Sequence, residues 1–243
     1  MDIALLNEKY IALCEMHHIK LNITITEQET DPKQKIAETK AGYTIRLNLN
    51  KIAKEDYELY LSYNVSRILL PRLAFDTERL HIRRLKPQDA EDCFAFLSDP
   101  HGCMMDCSRP VESMDEDFQE RMEQLVQHDG QYAIVLKENG KVIGAMRIWD
   151  ENSRAVEAKE IGYMISPAYR RNGYAYEALT ALFHILQREL HIELLLAGVL
   201  PESIASTSLL KKLGFCQEGL RRKAIWHEGL NHPVDLIYFY KDA

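Results

Sequence analysis

Residues 160–190 read EIGYMISPAYRRNGYAYEALTALFHILQREL, an apolar strand that runs through a basic, glycine-containing turn into a helix. Glu160 to Ser166 supplies β-branched and aromatic residues over strand length, and Pro167 ends it. From Ala175 onward apolar residues fall at helical spacing: Leu179, Leu182, Phe183, Leu186 and Leu190. Between the two lie Arg170, Arg171, Asn172, Gly173, Tyr174 and Ala175. Gly173 allows backbone conformations that a side chain would forbid, and the first amides of the helix point outward at the positive end of its dipole. A diphosphate fits such a turn, and two arginines add charge and donors. On these residues alone, an ordinary exposed strand-to-helix connection reads the same way.

Working outward, a second strand, IELLLAGVL (192–200), leads into PESIASTSLLKKLGF (201–215). Three further patterns accompany the turn in order: TERLHIRRLKPQDAEDCFAFLSDP from Thr77 to Pro100, Ser203-x-x-Ser206, and Leu213-Gly214-Phe215. With Arg170-x-x-Gly173-x-Ala175 they make the chain from about Thr77 to Tyr240 resemble a GCN5-related N-acetyltransferase. The similarity is to the subgroup that acetylates the alanine or serine amino termini of ribosomal proteins. Two positions depart from that subgroup. Ser203 stands where the family's Asn-x-x-Ser has asparagine, and Ile225 stands where close relatives carry a catalytic glutamate, with Trp226, His227 and Glu228 following.

The resemblance implies a mixed α/β fold, a mostly antiparallel sheet with flanking helices, and acetyl-CoA as co-substrate. It implies that the pantetheine arm bonds the backbone at Met164 and Ile165 and that the pyrophosphate sits on Arg170, Arg171, Asn172, Gly173, Tyr174 and Ala175, with Ser203 nearby. The acceptor is a primary amine, of a small molecule or a peptide amino terminus, attacked directly in a ternary complex. Such a transfer needs a neutral nucleophile, a donor toward the carbonyl oxygen and an acid for the departing thiolate. Glu160 is the candidate base, because side-chain alternation puts it on one strand face with Gly162 and Met164. Ser206, matching the family serine, is the candidate acid. A solvated strand-start glutamate and a helix-capping serine are the plainer readings of these two. Glu228 or His227 could stand in for the glutamate missing at Ile225. The alternative function is a catalytically inactive acyl-CoA-binding regulatory module.

Composition sets the outer bounds. A chain of 243 residues, 46% hydrophobic and 28% charged, suits an ordinary globular protein of one or two domains. The longest unbroken apolar run, Leu194 to Leu200, is too short to span a bilayer. MDIALLNEKYIALC lacks the layout of a secretory leader, so a cytoplasmic location is expected. Five cysteines without framework spacing suit a reducing compartment. A net charge of −7 argues against general nucleic-acid binding and favours cationic partners. His101-Gly102-Cys103-Met104-Met105-Asp106-Cys107 offers neither a Cys-x-x-Cys pair nor a second half-site. No metal is expected there, and the segment reads as a loop beside the acceptor cleft.

Residues 1–75 lie outside the resemblance and read as a small α+β extension, with 76–243 as the acetyltransferase domain. Ile3, Leu6, Tyr10, Leu13 and His17 approach helical spacing; LNITITEQ and YTIRLNLN alternate as strands around a polar loop holding Asp31-Pro32; Tyr57 to Leu69 is amphipathic and ends before Pro71. The order is helix, strand, strand, helix. So small a unit needs to pack on the other domain or on a second subunit, as in a homodimer. In the second part, strands are expected at 79–85, 132–136, 142–149, 157–166, 192–199, 215–225 and 234–240. Helices are expected at 87–97, 115–128 and 205–213, besides the one after the turn. His191 reads as a cap or surface residue. Ser113 and Glu116 form a Ser-x-x-Glu capping box, which leaves Asp115 and Asp117 to draw a cationic acceptor.

Overall fold

The computed structural model describes residues 2–25, 36–40, 42–48, 50, 52–53 and 56–243. The expected loop at Asp31-Pro32 lies outside these residues. The backbone divides into two compact units, Met1–Leu73 with Leu186–His191, and Ala74–Ile185 with Ile192–Ala243.

In the first unit, α1 (Ile3–Met16) starts on Asp2, whose carboxylate accepts from the amides of Ala4 and Leu5. Strands β1 (Leu21–Ile25), β2 (Ile36–Thr39) and β3 (Gly42–Leu47) form a sheet in the order β1-β3-β2. β1 runs parallel to β3 and β2 antiparallel to it. β2 is an addition to the expected pattern. Its four residues, IAET, are too few and too polar to show an alternation, and only pairing with β3 makes them a strand. α2 (Tyr57–Leu69) buries Tyr57, Leu61, Val65 and Leu69. Ser62 donates to the carbonyl of Leu190, and Lys9 Nζ lies 2.9 Å from Glu58 and 2.8 Å from His191 Nε2. His191 is therefore part of a charged cluster; burial and then Lys9 push its imidazole below the ordinary value.

The second unit is an eight-stranded sheet in the order β10-β11-β9-β8-β7-β6-β5-β4. Its strands are β4 (Phe75–Asp76), β5 (Leu80–Arg84), β6 (Gln131–Leu136), β7 (Val142–Asp150), β8 (Ala158–Ile165), β9 (Leu194–Val199), β10 (Cys216–His227) and β11 (His232–Asp242). Every neighbouring pair is antiparallel except β8 and β9, which are parallel. The fold is thus the expected mixed α/β type with a mostly antiparallel sheet. Five helices accompany it among the described residues: α3 (Ala90–Leu97), α4 (Pro100–Met105), α5 (Glu116–Gln127), α6 (Tyr174–Phe183) and α7 (Ile204–Lys212). Cys93, Phe96, Phe118 and Met122 of α3 and α5 pack on Ala133, Val135 and Val142, with Ala145 and Met164 beside them. α3 and α5 therefore cover the sheet face that carries Ala145 and Met164.

Three local expectations change. The segment around Cys103 is a short helix, α4, because Pro100 opens it and the Asp99 carboxylate caps Gly102 N at 2.8 Å. α5 is capped by Asp115 rather than Ser113. Asp115 accepts from Phe118 N at 3.2 Å, and the Ser113 hydroxyl is spent on the other Asp115 oxygen at 2.5 Å. No Ser113–Glu116 box forms, and Asp115 is occupied as the cap. The helix after the turn stays α-helical only to Phe183 and continues over His184–Glu189 as a π-helical segment, a change of pitch that apolar spacing does not encode.

Candidate active site

The parallel pairing of β8 with β9 covers only Ala158↔Leu194, Lys159↔Leu195 and Glu160↔Leu196. Both strands run on, β8 to Ile165 and β9 to Val199, without pairing to each other. β8 remains paired to β7 through Ile165 and β9 to β11 through Val199, so the sheet parts on one side only of each strand. The parting begins at Glu160. An extended amide-bearing ligand can take up the edges left there.

Glu160 is buried at the apex of this wedge. Burial pushes its carboxyl up, a hydrogen bond from the Tyr238 phenol opposes this, Glu151 pushes it further up, and Arg221 and the Trp149 side chain pull down, with a net upward shift. The Tyr238 hydroxyl is raised in turn to about 12, by burial first and then by the Glu160 charge. Arg221 lies over the Tyr238 ring, its guanidinium carbon 3.8 Å from the centroid. A carboxyl held above its ordinary range can accept a proton from a neighbouring amine.

Strand parity separates Glu160 from Tyr163, which faces the opposite side of β8. The Tyr163 hydroxyl is buried beside Ser206 and completes no hydrogen bond of good geometry. Burial lifts it to about 12. Ser206 stands in the first turn of α7, and the buried Ser203 precedes that helix without capping it through its side chain. Glu160 and Ser206 thus flank β8 from its two faces, with Met164 and Ile165 further along the same strand.

The turn after β8 is held by residues far away in sequence. Arg171 and Gly173 take left-handed conformations, φ 66° and 81°. The first hydrogen bond of α6 runs from Glu177 N to Gly173 O at 3.0 Å, so the amides of Tyr174, Ala175 and Tyr176 precede the helical ladder. Gly173, the N-cap, has no side chain to answer them. Asn172 donates to the carbonyls of Tyr169 and Arg170 and closes the turn. Arg170 points inward: its Nε donates to Ile165 O at 3.0 Å and its Nη2 pairs with Asp99. The exposed Arg171 is the arginine left to meet an anion.

Arg79, which the sequence did not single out, braces the turn from just before β5. Its guanidinium donates to Glu177 at 2.7 Å and to Asn172 O at 3.0 Å, and it stacks over Tyr174 at 4.5 Å. Burial alone would raise the Glu177 carboxyl; the Thr77 hydroxyl and the Arg79 amide and guanidinium outweigh it and hold it low. These residues fit a diphosphate: a left-handed glycine leaves the cradle open, and the nearest atom to a Cβ built on it would be Arg79 Nη2 at 3.5 Å.

Beside β8, a cavity of about 50 Å³ lies under α3 and α5. Leu85, Phe96, Leu97 and Leu125 form its apolar wall; Asp106 and Arg147 are among its polar residues; Met164 borders it. Burial raises the Asp106 carboxyl, against the pull of Arg147 and Arg121. His227 is not a candidate base. It is fully buried, its Nδ1 accepts from Leu230 N at 3.2 Å, and its Nε2 therefore carries the proton donated to Met104 O at 3.0 Å. Glu228 is exposed, with Arg109 N at 3.4 Å from its carboxylate.

The profile of the acetyltransferase (GNAT) domain matches residues 79–216, more than half of the chain. An uncharacterized N-acetyltransferase, p20, of Bacillus licheniformis is 32% identical over 172 residues, which are 67% of this chain and 92% of that protein. The ribosomal protein uS5-alanine N-acetyltransferase of Escherichia coli is 30% identical over 89 residues, 37% of this chain and 46% of that one. An acetyltransferase (GNAT family) crystal structure from Bacillus anthracis superposes with a TM-score of 0.61 at 23% identity, covering 70% of this chain and 98% of that one, a likeness of fold. The profile covers the parted strands, the glycine turn and the helices that flank them, and with the p20 relative it shows that the chain belongs to the GNAT family of N-acetyltransferases.

Proposed function

We propose that the protein transfers an acetyl group from acetyl-CoA to a primary amine by direct attack in a ternary complex. The observation that carries this reading is the parting of β8 from β9 at Glu160, where the thioester's pantetheine arm finds strand edges to bond at Met164 and Ile165. The coenzyme supplies the activated acetyl group. The amides of Tyr174, Ala175 and Tyr176, with Arg171, take the diphosphate, while Asn172 and Arg79 keep the turn in shape. Ser203, buried just ahead of α7, is assigned to the donor as well.

Glu160 receives the proton that the attacking amine gives up. Its upward shift brings it nearer the working pH, which is what a base facing an ammonium needs. Ser206 protonates the leaving thiolate, and the buried Tyr163 hydroxyl beside it can return the proton. An α-amine, with an ordinary pKa of about 7.7–8.0, is about a tenth neutral at pH 7, against well under a thousandth for lysine, so an α-amine or a comparably weak base is the easier acceptor.

The test is free-thiol release from acetyl-CoA with a panel of primary amines, beside calorimetric titration of acetyl-CoA. Amine-dependent thiol release supports the reading. A protein that binds acetyl-CoA and transfers to no amine would be the inactive acyl-CoA-binding module instead, and one that does not bind it loses both.

A further inference from the structure

The Asp106 carboxylate stands at the end of α4 and lines the cavity under α3 and α5. One of its oxygens, Oδ1, pairs with Arg147 Nη2. Oδ2 accepts no hydrogen bond from the described residues and is not sealed from solvent, with 17% of the side-chain surface exposed. A ligand that brings a donor can therefore replace water at that oxygen. Arg147 pulls the carboxyl toward its ionised, accepting form against the larger effect of burial, and by pairing with Oδ1 it leaves Oδ2 as the open atom. Arg121, the other cation felt by Asp106, also lines the cavity and donates one N–H to Arg109 O at 2.6 Å.

The ion pair borders the reacting strand. Arg147 on β7 is opposite Gly162 on β8, and a Cβ built on Gly162 would come within 3.2 Å of Arg147 Nε. Gly162 lies between Glu160 and Met164 on their shared face, so the lack of a side chain there admits the guanidinium next to the parting. Leu85, Phe96, Leu97 and Leu125 form an apolar wall, with Arg121 and Gln131 as further polar residues of the lining. At about 50 Å³ the space holds a few water-sized groups, enough for an amine with a short aliphatic chain.

We propose, on the reading of this cleft as the acceptor side of the acetyl-transfer site, that Asp106 is its specificity-determining residue. The acceptor's amino group donates to Asp106 Oδ2, its aliphatic part lies against Leu97 and Leu125, and Arg147 fixes the carboxylate. Asp115 and Asp117, which the sequence offered for this task, lie at a helix start where Asp115 is already the cap.

Propylamine serves as the probe, titrated into the full chain by ligand-observed NMR with and without saturating coenzyme A. Asp106→Asn is expected to weaken propylamine about tenfold, the scale of one hydrogen bond to a charged group, with the loss falling on the amine KM and not on acetyl-CoA affinity. Leu125→Phe fills the apolar side, leaves the ion pair alone and is expected to weaken propylamine as well; it decides the matter if Asp106→Asn does not fold. Glu160→Gln keeps propylamine binding. No propylamine binding by the unaltered protein, or equal binding by both pocket variants, overturns the assignment. The titration without coenzyme A reads the pocket even if acetyl-CoA is not the donor, so failure of the donor reading shows separately.

Discussion

The phenol of Tyr238 on β11 and the carboxylate of Glu160 on β8 act on each other's titration across β9, the strand that lies between them. The phenol favours the ionised carboxylate, whereas burial opposes it. Tyr238→Phe therefore raises the Glu160 pKa further, and since a base must be ionised to act, the acid limb of the kcat/KM profile moves to higher pH. A profile measured from pH 5 to 9.5 checks the direction; an unmoved acid limb separates Tyr238 from the base.

Glu160→Gln is expected to cost about 10²- to 10⁴-fold in rate, most at low pH, with partial recovery as the acceptor amine loses its own proton. Its effect on stability has the opposite sign. A carboxyl whose folded pKa lies above its unfolded one contributes stability below the unfolded pKa that is lost as pH rises through the folded pKa. The variant escapes that loss, so its melting midpoint should equal the parent's in acid and exceed it at neutral pH.

Gly173 separates crowding from strain. At φ 81° an alanine costs about 1–2 kcal/mol in backbone strain, and its Cβ meets no protein atom nearer than 3.5 Å but enters the cradle, so Gly173→Ala should lower the melting midpoint and weaken acetyl-CoA binding without abolishing it. Gly173→Asp adds charge repulsion and should abolish binding. Calorimetry on both variants decides, and unchanged affinity in the aspartate variant removes the turn from the donor site.

Arg79→Ala releases the Asn172 carbonyl and the Glu177 carboxylate together. Acetyl-CoA affinity should fall about fivefold, since the pair is partly solvated, and kcat at saturating donor should hold. Equal losses in both constants would mean that Arg79 acts on the chemical step.

Residues 76–243 expressed alone are expected to unfold cooperatively and to bind acetyl-CoA, at a lower melting midpoint than the whole chain. Leu186 and Leu190, fully buried, belong to the first unit, and the Leu190 carbonyl loses its donor Ser62. Leu186→Gln with Leu190→Gln should raise the solubility of the fragment. A fragment that melts without cooperativity would join the two units into one folding domain.

Periodicity and proline or glycine breaks made the strands and helices around the turn legible, because β8, α6, β9 and α7 each carry their pattern within their own residues. The turn itself was legible through Gly173. What was not legible depends on distant partners. Arg79 lies nearly a hundred residues before Asn172, and nothing in TERLHIRRL marks one arginine as a brace. Arg170 read as a free cation until Asp99 and the Ile165 carbonyl claimed it. His227 lost its candidacy for the same reason, since only the fold brings the Met104 carbonyl to its ring. The cap of α5 turned on a choice between two residues two apart, which side-chain geometry decides and sequence does not.

The parting of β8 from β9 has a consequence for how such a chain can change over time. Under the proposed function its donor is gripped chiefly by main-chain groups, which every residue type except proline supplies, so substitution along those strands leaves the grip intact. The acceptor is gripped by side chains, Asp106 and the apolar wall among them, and a single replacement there rewrites the preference. Heredity is thus conservative on one side of Glu160 and permissive on the other, and lineages that share the donor can diverge in what they modify without rebuilding the sheet.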